Sequence, residues 1–257
     1  MRRAVTLDES NMTALRAYVF EVEEVYTSLR GARQFVERSY RYEVNLLSGA
    51  MYWRLLERDG QPLSASDQEA ERARLKRHLE VYGRGAPLDE TAQSLYNWRR
   101  ERQYLLEIPE AWQLRHAGFE TVNGRDCHMV DFQPRHPYWP RHRFAHLLGR
   151  FHGRVWIDQQ DSHWVRLRWE ALRRTSYTLQ QLPLGRLSLP YSPGVINEAD
   201  LPTGTTQTFE LTRLSGGPWV PLYFRSMKES SFRNEVRYSR FRRFTSESSL
   251  IYDEIVK

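Results

Sequence analysis

The stretch Gly153-Arg-Val-Trp-Ile-Asp158, then Gln-Gln-Asp-Ser-His, then Trp164-Val-Arg-Leu-Arg-Trp-Glu-Ala171 leaves the chain few ways to fold. It reads as two amphipathic strands joined by a tight polar turn. In the second strand Val165, Leu167, Trp169 and Ala171 share one face, and Trp164, Arg166, Arg168 and Glu170 share the other. That is the period-two spacing of a half-buried strand. A one-residue slip of register would exchange the faces, so Trp156 and Trp164 are not both placed by the pattern.

A second hairpin is expected at Asn123-Gly124, the strongest short turn signal in the chain. Cys127, Met129 and Asp131 alternate beyond it with His128, Val130 and Phe132. Further strands are expected over residues 17–26, 36–46 and 51–57, the last closing at Asp59-Gly60, and again over 206–214, 219–227 and 233–244. A short helix is expected over 8–16, capped by Ser10 or Asn11. A surface helix is expected from the capping-box pattern Ser66-Asp-Gln-Glu69 to about Tyr82. Its apolar stripe is thin: Ala70, Ala73 and Leu79. Asp89 opens another helix, which runs to about Leu106 and is closed by Pro109.

Strands, then two helices, then many strands argue for an α+β fold on an antiparallel sheet rather than βαβ units. No internal repeat and no convincing linker divides residues 1–257, so a single domain is expected, with a helical insertion over 64–106.

Composition narrows the functions. Lys and Arg number 38 against 32 Asp and Glu, a formal charge of +6, and most of the cations are arginine, whose fork suits carboxylate and phosphate. An anionic partner and an ordinary basic surface both fit. The single cysteine, Cys127, excludes an internal disulfide and reads as a small buried hydrophobe. No stretch approaches the ~20 apolar residues of a membrane-spanning helix. The start, Met1-Arg-Arg-Ala-Val-Thr-Leu7, reaches Asp8 too soon to supply the apolar core of an export signal.

Reaction chemistry is thinly represented. No nucleophile elbow, His-Glu-x-x-His or phosphate loop occurs. His136, His142, His146 and His152 cluster in sequence, and the first pair spaced by four is His142 and His146. They stand among Arg141, Arg143, Arg150 and Arg154 with no acid between Phe132 and Ile157, so no metal is expected there. The same segment mixes arginine with Tyr138, Trp139, Phe144 and Phe151. It fits an ordinary loop, a lipid-facing surface or a protein- or nucleic-acid-interaction module over 135–154. Tyr40, Tyr42, Phe119, Trp156, Trp164, Trp169 and Phe224 could line a ligand cavity or fill a core.

The segments Asp59-Gly-Gln-Pro-Leu-Ser64, Phe119-Glu-Thr-Val-Asn-Gly-Arg-Asp-Cys-His-Met-Val130 and Gly153-Arg-Val-Trp-Ile-Asp158 resemble bacterial outer-membrane lipoprotein-sorting proteins, the LolA/LolB/LppX-like carriers. The resemblance covers roughly residues 10–245. It implies a curved antiparallel β-sheet, an incomplete β-barrel with a helical lid, that binds lipid or the acyl chains of a lipoprotein. It implies a periplasmic, non-enzymatic carrier or sensor with no cofactor, no nucleic acid and possible peripheral contact with the membrane. Inward faces would supply Tyr40, Tyr42, Phe119, Trp156, Val165, Leu167, Trp169 and Phe224 to the ligand. Arg141, Arg143 and Arg150 would meet an anionic headgroup at the mouth, over which residues 64–106 and 135–152 would lie.

Overall fold

Helix α1 (Arg2–Leu15) leads into strands β1 (Tyr18–Arg30), β2 (Arg33–Leu47), β3 (Ala50–Arg58) and the short β4 (Gln61–Pro62), followed by helix α2 (Ala65–Tyr82). A 3-10 turn (Gln103–Glu107) and helix α3 (Ile108–Ala111) precede β5 (Trp112–Val122) and β6 (Arg125–Pro134). A second 3-10 turn (Ala145–Arg150) opens into β7 (Phe151–Asp158) and β8 (Trp164–Ala171). Then come β9 (Thr175–Thr178), β10 (Glu198–Leu201), β11 (Thr206–Arg213), β12 (Trp219–Lys228) and β13 (Phe232–Arg243). This computed structural model describes residues 1–15, 17–31, 33–47, 50–82, 103–178, 198–229 and 231–243.

Among the described residues eleven strands form one sheet in the order β4-β3-β2-β1-β13-β12-β11-β8-β7-β6-β5, and each pairs antiparallel with its neighbours. The sheet is curved and does not close: β4 and β5 are its two edges. Among the described residues the first strand pairs with the last, Glu24 opposite Val236, in the middle of the sheet. β9 and β10 pair apart from it. The fold is α+β.

Cross-strand partners point to the same face, so the register divides the sheet. One row runs from edge to edge through Arg58, Tyr40, Glu24, Val236, Phe224, Phe209, Leu167, Val155, Val130 and His116. The next runs through Arg38, Tyr26, Asn234, Ser226, Gln207, Trp169, Gly153, Phe132 and Leu114. We call this the inner face. On the outer face a row runs Glu57, Arg41, Glu23, Arg237, Tyr223, Glu210, Arg166, Trp156 and Met129, largely alternating in charge.

That row explains much of the arginine. Arg41 pairs with Glu21 and Glu57, Arg54 with Glu43, Arg166 with Glu210 and Arg154 with Asp131. Half-buried pairs of this kind on a sheet surface stabilise modestly individually, but they neutralise cations that composition alone presents as free.

The helices depart from the sequence pattern. α1 begins at Arg2, so Ser10 and Asn11 lie inside it rather than capping it. Asn11 is buried and reaches the sheet: its Nδ2 donates to Trp219 O at 2.6 Å, and its Oδ1 accepts from Trp219 N at 2.6 Å. The Trp164 indole donates to Ala4 O at 2.7 Å, which fixes the helix at a second point. Asn11→Ala would leave both Trp219 backbone groups unpaired in a buried place. It is expected to cost about 2 kcal/mol in urea unfolding.

α2 starts two residues early, capped by Ser64, whose Oγ accepts from Asp67 N at 3.2 Å. It lies on the outer face, where Tyr52 and Leu75 form a separate small core with Leu47 and Leu79, and Tyr52 donates to Glu71 at 2.6 Å. The first half of the insertion therefore does not cover the inner face. The helix expected over 89–106 falls largely outside the described residues. Pro109 stands in the first turn of α3, opening a helix rather than closing one. The helical residues that share the main core with the inner face are Ala4, Val5 and Leu15 of α1, Tyr104 and Leu105, Ile108 and Ala111 of α3, and Ala145 and Leu148.

Candidate functional site

The inner face is the candidate site, and its middle is apolar over six successive strands: Val236, Phe224, Phe209, Leu167, Val155 and Val130. Leu167, Trp169 and Phe224 stand in this face's two rows. Tyr42 and Tyr40 continue it on β2, their rings 6.0 Å apart, and Tyr42 meets Trp53 edge-on at 6.0 Å. Tyr42, Val165, Leu167, Trp169 and Phe224 are all buried in the core, whereas Tyr40 is half-buried. Val165 falls in the register shift of β8 opposite Trp156 and Ile157.

Trp156 lies on the outer face. Its indole donates to Glu120 at 2.8 Å, and the Arg154 and Arg166 guanidiniums stand 5.9 and 5.3 Å from its ring. It is buried by its own ion-paired neighbours and does not look into the inner face.

Phe119 is on the inner face at the far edge. It pairs with His128 and is 63% exposed, among the most exposed large apolar side chains described. Around it Leu114, Val130 and His128 are half-buried and His116 is exposed. At this edge the inner face meets solvent, as it also does at Arg38 and Arg58 towards the other.

The 135–152 segment is organised by an acid that sequence proximity does not reveal. Glu107, buried at the end of its 3-10 turn, accepts from the Tyr138 hydroxyl at 2.6 Å, Arg141 N at 3.1 Å and His142 N at 2.7 Å. Burial alone would raise its pKa, but these three hydrogen bonds and the Arg141 charge outweigh it and hold the carboxyl below its usual range. Trp112 stacks on Phe132 at 3.9 Å and donates to Leu148 O at 2.9 Å, anchoring the second 3-10 turn to the inner face.

The three mouth arginines are differently placed. Arg141 is paired with Glu110 at 2.5 Å. The Arg143 guanidinium lies 4.3 Å from the Phe144 ring. Arg150 is half-buried, and burial together with Arg173 disfavours its charge.

The histidines of this segment are not gathered. His146 Nδ1 contacts Arg143 O at 2.7 Å, His142 Nδ1 accepts from Phe144 N at 3.2 Å, and His152 lies 3.9 Å from Glu170. Among the described residues no group of three or more His, Cys, Asp and Glu could hold a metal ion.

Cys127 is fully buried, its Sγ donating to Arg125 O at 3.3 Å, and burial pushes the thiol up to about 11. Arg125 forks onto Asp158 at 2.7 and 3.1 Å and stands 4.9 Å from the Trp219 ring, closing the β6–β8 end. No helix among the described residues is long and apolar enough to cross a membrane.

No family model and no curated protein matches this chain. Solved structures do. A domain described as an outer membrane lipoprotein-sorting protein from Vibrio parahaemolyticus matches with TM-score 0.36 at 10% identity, over 99% of this chain and 98% of that one. A DUF1329 family protein from Desulfovibrio piger matches with TM-score 0.33 at 10% identity, over 95% and 94%. A LolA superfamily protein from Nitrosomonas europaea matches with TM-score 0.32 at 10% identity, over 95% and 94%. Overlaps this loose fix neither a common register nor a common site, and the strand order above carries the fold by itself.

Proposed function

We propose that the chain is a periplasmic, non-enzymatic carrier or sensor that holds the acyl chains of a lipid or lipoprotein against the inner face of its open sheet. The observation that supports this most is the inner row, apolar without interruption from Val236 to Val130. A sheet left unclosed offers such a row an edge through which a chain can enter. Each methylene buried there would contribute about 0.8 kcal/mol before ordering costs. The resemblance of the Asn123-Gly124 and Gly153–Asp158 segments to the lipoprotein-sorting carriers points the same way.

Tyr40, Tyr42, Val165, Leu167, Trp169 and Phe224 are the proposed wall, and Phe119 the proposed point of entry. The wall residues other than Tyr40 are already covered by the core, so an incoming chain would first meet the β5–β6 edge. Of the mouth arginines, Arg150 is the best proposed headgroup contact, since Arg141 already has acidic partners. Trp139, 82% exposed, is the proposed peripheral contact with a membrane.

The test is native mass spectrometry of gently purified protein, with organic extraction of what co-purifies. Reproducible phospholipid or fatty-acid adducts are expected. A clean mass together with no uptake of added lipid would sink the reading. Phe119→Asp, at an exposed position, should leave the fold intact and weaken uptake about tenfold or more.

A further inference from the structure

We propose that His116 and His128 form a two-histidine site for a tetrahedral divalent metal ion of the zinc class, on the inner face at the β5–β6 edge. Their ring nitrogens, Nε2 of His116 and Nδ1 of His128, lie 3.4 Å apart. Two imidazole nitrogens bound to one zinc ion at about 2.0–2.1 Å each, at the tetrahedral angle, lie about 3.4 Å apart. The separation suits one ion between them without movement of the backbone.

The backbone arranges this meeting. An unbroken hairpin from the Asn123-Gly124 turn would place His116 opposite Asp131 and on the face away from His128. The register instead shifts between His116 and Gly118, so that His116 pairs with Val130 while Phe119 still pairs with His128. Gly118 absorbs the shift at φ +109, a conformation that L side chains rarely adopt. The bulge turns His116 onto the face of His128.

Phe119 then packs against both rings, at 5.0 Å from His116 and 5.1 Å from His128. Three rings in mutual contact restrict one another's rotation, which lowers the ordering cost of binding an ion. Of the acids on β6, Asp131 is occupied on the outer face by Arg115 and Arg154, and Asp126, two positions from His128, accepts from the Thr121 hydroxyl at 2.8 Å. The two histidines would thus be the protein's whole contribution. The exposed side of the ion is left to water or to an anionic group of a ligand arriving at this edge.

The proposal stands apart from acyl-chain binding and is tested without lipid, by isothermal titration of the metal-free protein with zinc chloride at pH 7.5. One equivalent is expected to bind with micromolar affinity. Either His116→Ala or His128→Ala should weaken it at least tenfold, while His146→Ala leaves it unchanged. Both substituted side chains stand at a solvent-facing edge, and circular dichroism of each variant checks that it folds. No heat of binding up to 1 mM zinc would overturn the proposal. So would binding that survives in both variants, or that is lost in only one of them.

Discussion

Gly153→Ala is expected to destabilise the protein by about 3 kcal/mol or more, the largest cost we foresee for adding a single methyl group. A Cβ built on Gly153 would sit 2.0 Å from Arg168 O, 2.7 Å from Trp169 Cα and 2.9 Å from Arg168 C. These are backbone atoms of the paired strand, so no side chain can swing aside. Either β8 must retreat or the Gly153–Trp169 pairing must break, and Trp169 is packed into the core directly beside it. Gly149→Ala, where an added Cβ meets nothing within 4 Å, is the matched control and should change stability by no more than about 0.5 kcal/mol. Urea unfolding followed by tryptophan fluorescence distinguishes the two. Equal midpoints would mean that the strands are not pressed together as described.

The same residue shows what the sequence can and cannot tell. Alternation of Val165, Leu167, Trp169 and Ala171 was enough to assign their common burial, because every second residue of a strand shares a face. The Asn123-Gly124 turn was equally legible: both residues take positive φ, 52° and 73°, as a two-residue hairpin of this type requires. The three C-terminal strands were readable to within a residue or two for the same local reasons. None of these signals carries the pairing of β1 with β13, which joins residues more than 200 positions apart in sequence. Nor do they reveal bulges. A shift beside Gly118 decides that His116 faces His128, and another between Trp156 and Ile157 leaves the β7–β8 turn out of simple register.

The placing of residues on the inner face was therefore legible in its apolar middle and not at its edges. Leu167, Trp169 and Phe224 announce themselves by period. Trp156 has the same period and the same ring chemistry, but its strand phase sends it outward among Glu120, Arg154 and Arg166. The charge reading fails for a related reason. Arginines counted as a basic surface, among them Arg41, Arg54, Arg154, Arg166 and Arg237, lie along outer-face rows within reach of a glutamate or aspartate supplied by a neighbouring strand. Glu107 is the clearest instance: it lies 25 residues before Phe132 in sequence, yet it organises a loop that looked free of acids.

Glu24→Gln is expected to make the protein more stable at alkaline pH by about 3 kcal/mol, with little change near pH 4. Glu24 lies on the inner face between Val236 and Tyr40 and is 1% exposed. Burial pushes its carboxyl up to about 7, against hydrogen bonds from Tyr26 and Asn234 and the attraction of Arg38. Tyr238, two positions along β13 from Val236, is also fully buried and adds no charge to offset it. In the unfolded chain the same carboxyl ionises near 4.5.

Between those two values the folded state holds a proton that the unfolded state has released, so stability must fall as pH rises through the interval. Above about 7 the folded protein carries a buried carboxylate at the full cost. Glutamine removes that cost while keeping an acceptor for Tyr26 and Asn234. Its amide gains the Asn234 Oδ1, which has no hydrogen-bond partner among the described residues. Asp131, Asp158 and Glu107 hold their pKa below the usual carboxylate range and act in the opposite sense at lower pH, so the comparison is made between variant and parent at each pH. Urea midpoints at pH 4, 6 and 8.5 should diverge steadily; parallel curves would refute the assignment. A neutral Glu24 also extends the uncharged part of the inner row from Val130 as far as Tyr40, so acyl-chain uptake by the parent protein should strengthen below pH 7 and that gain should vanish in Glu24→Gln.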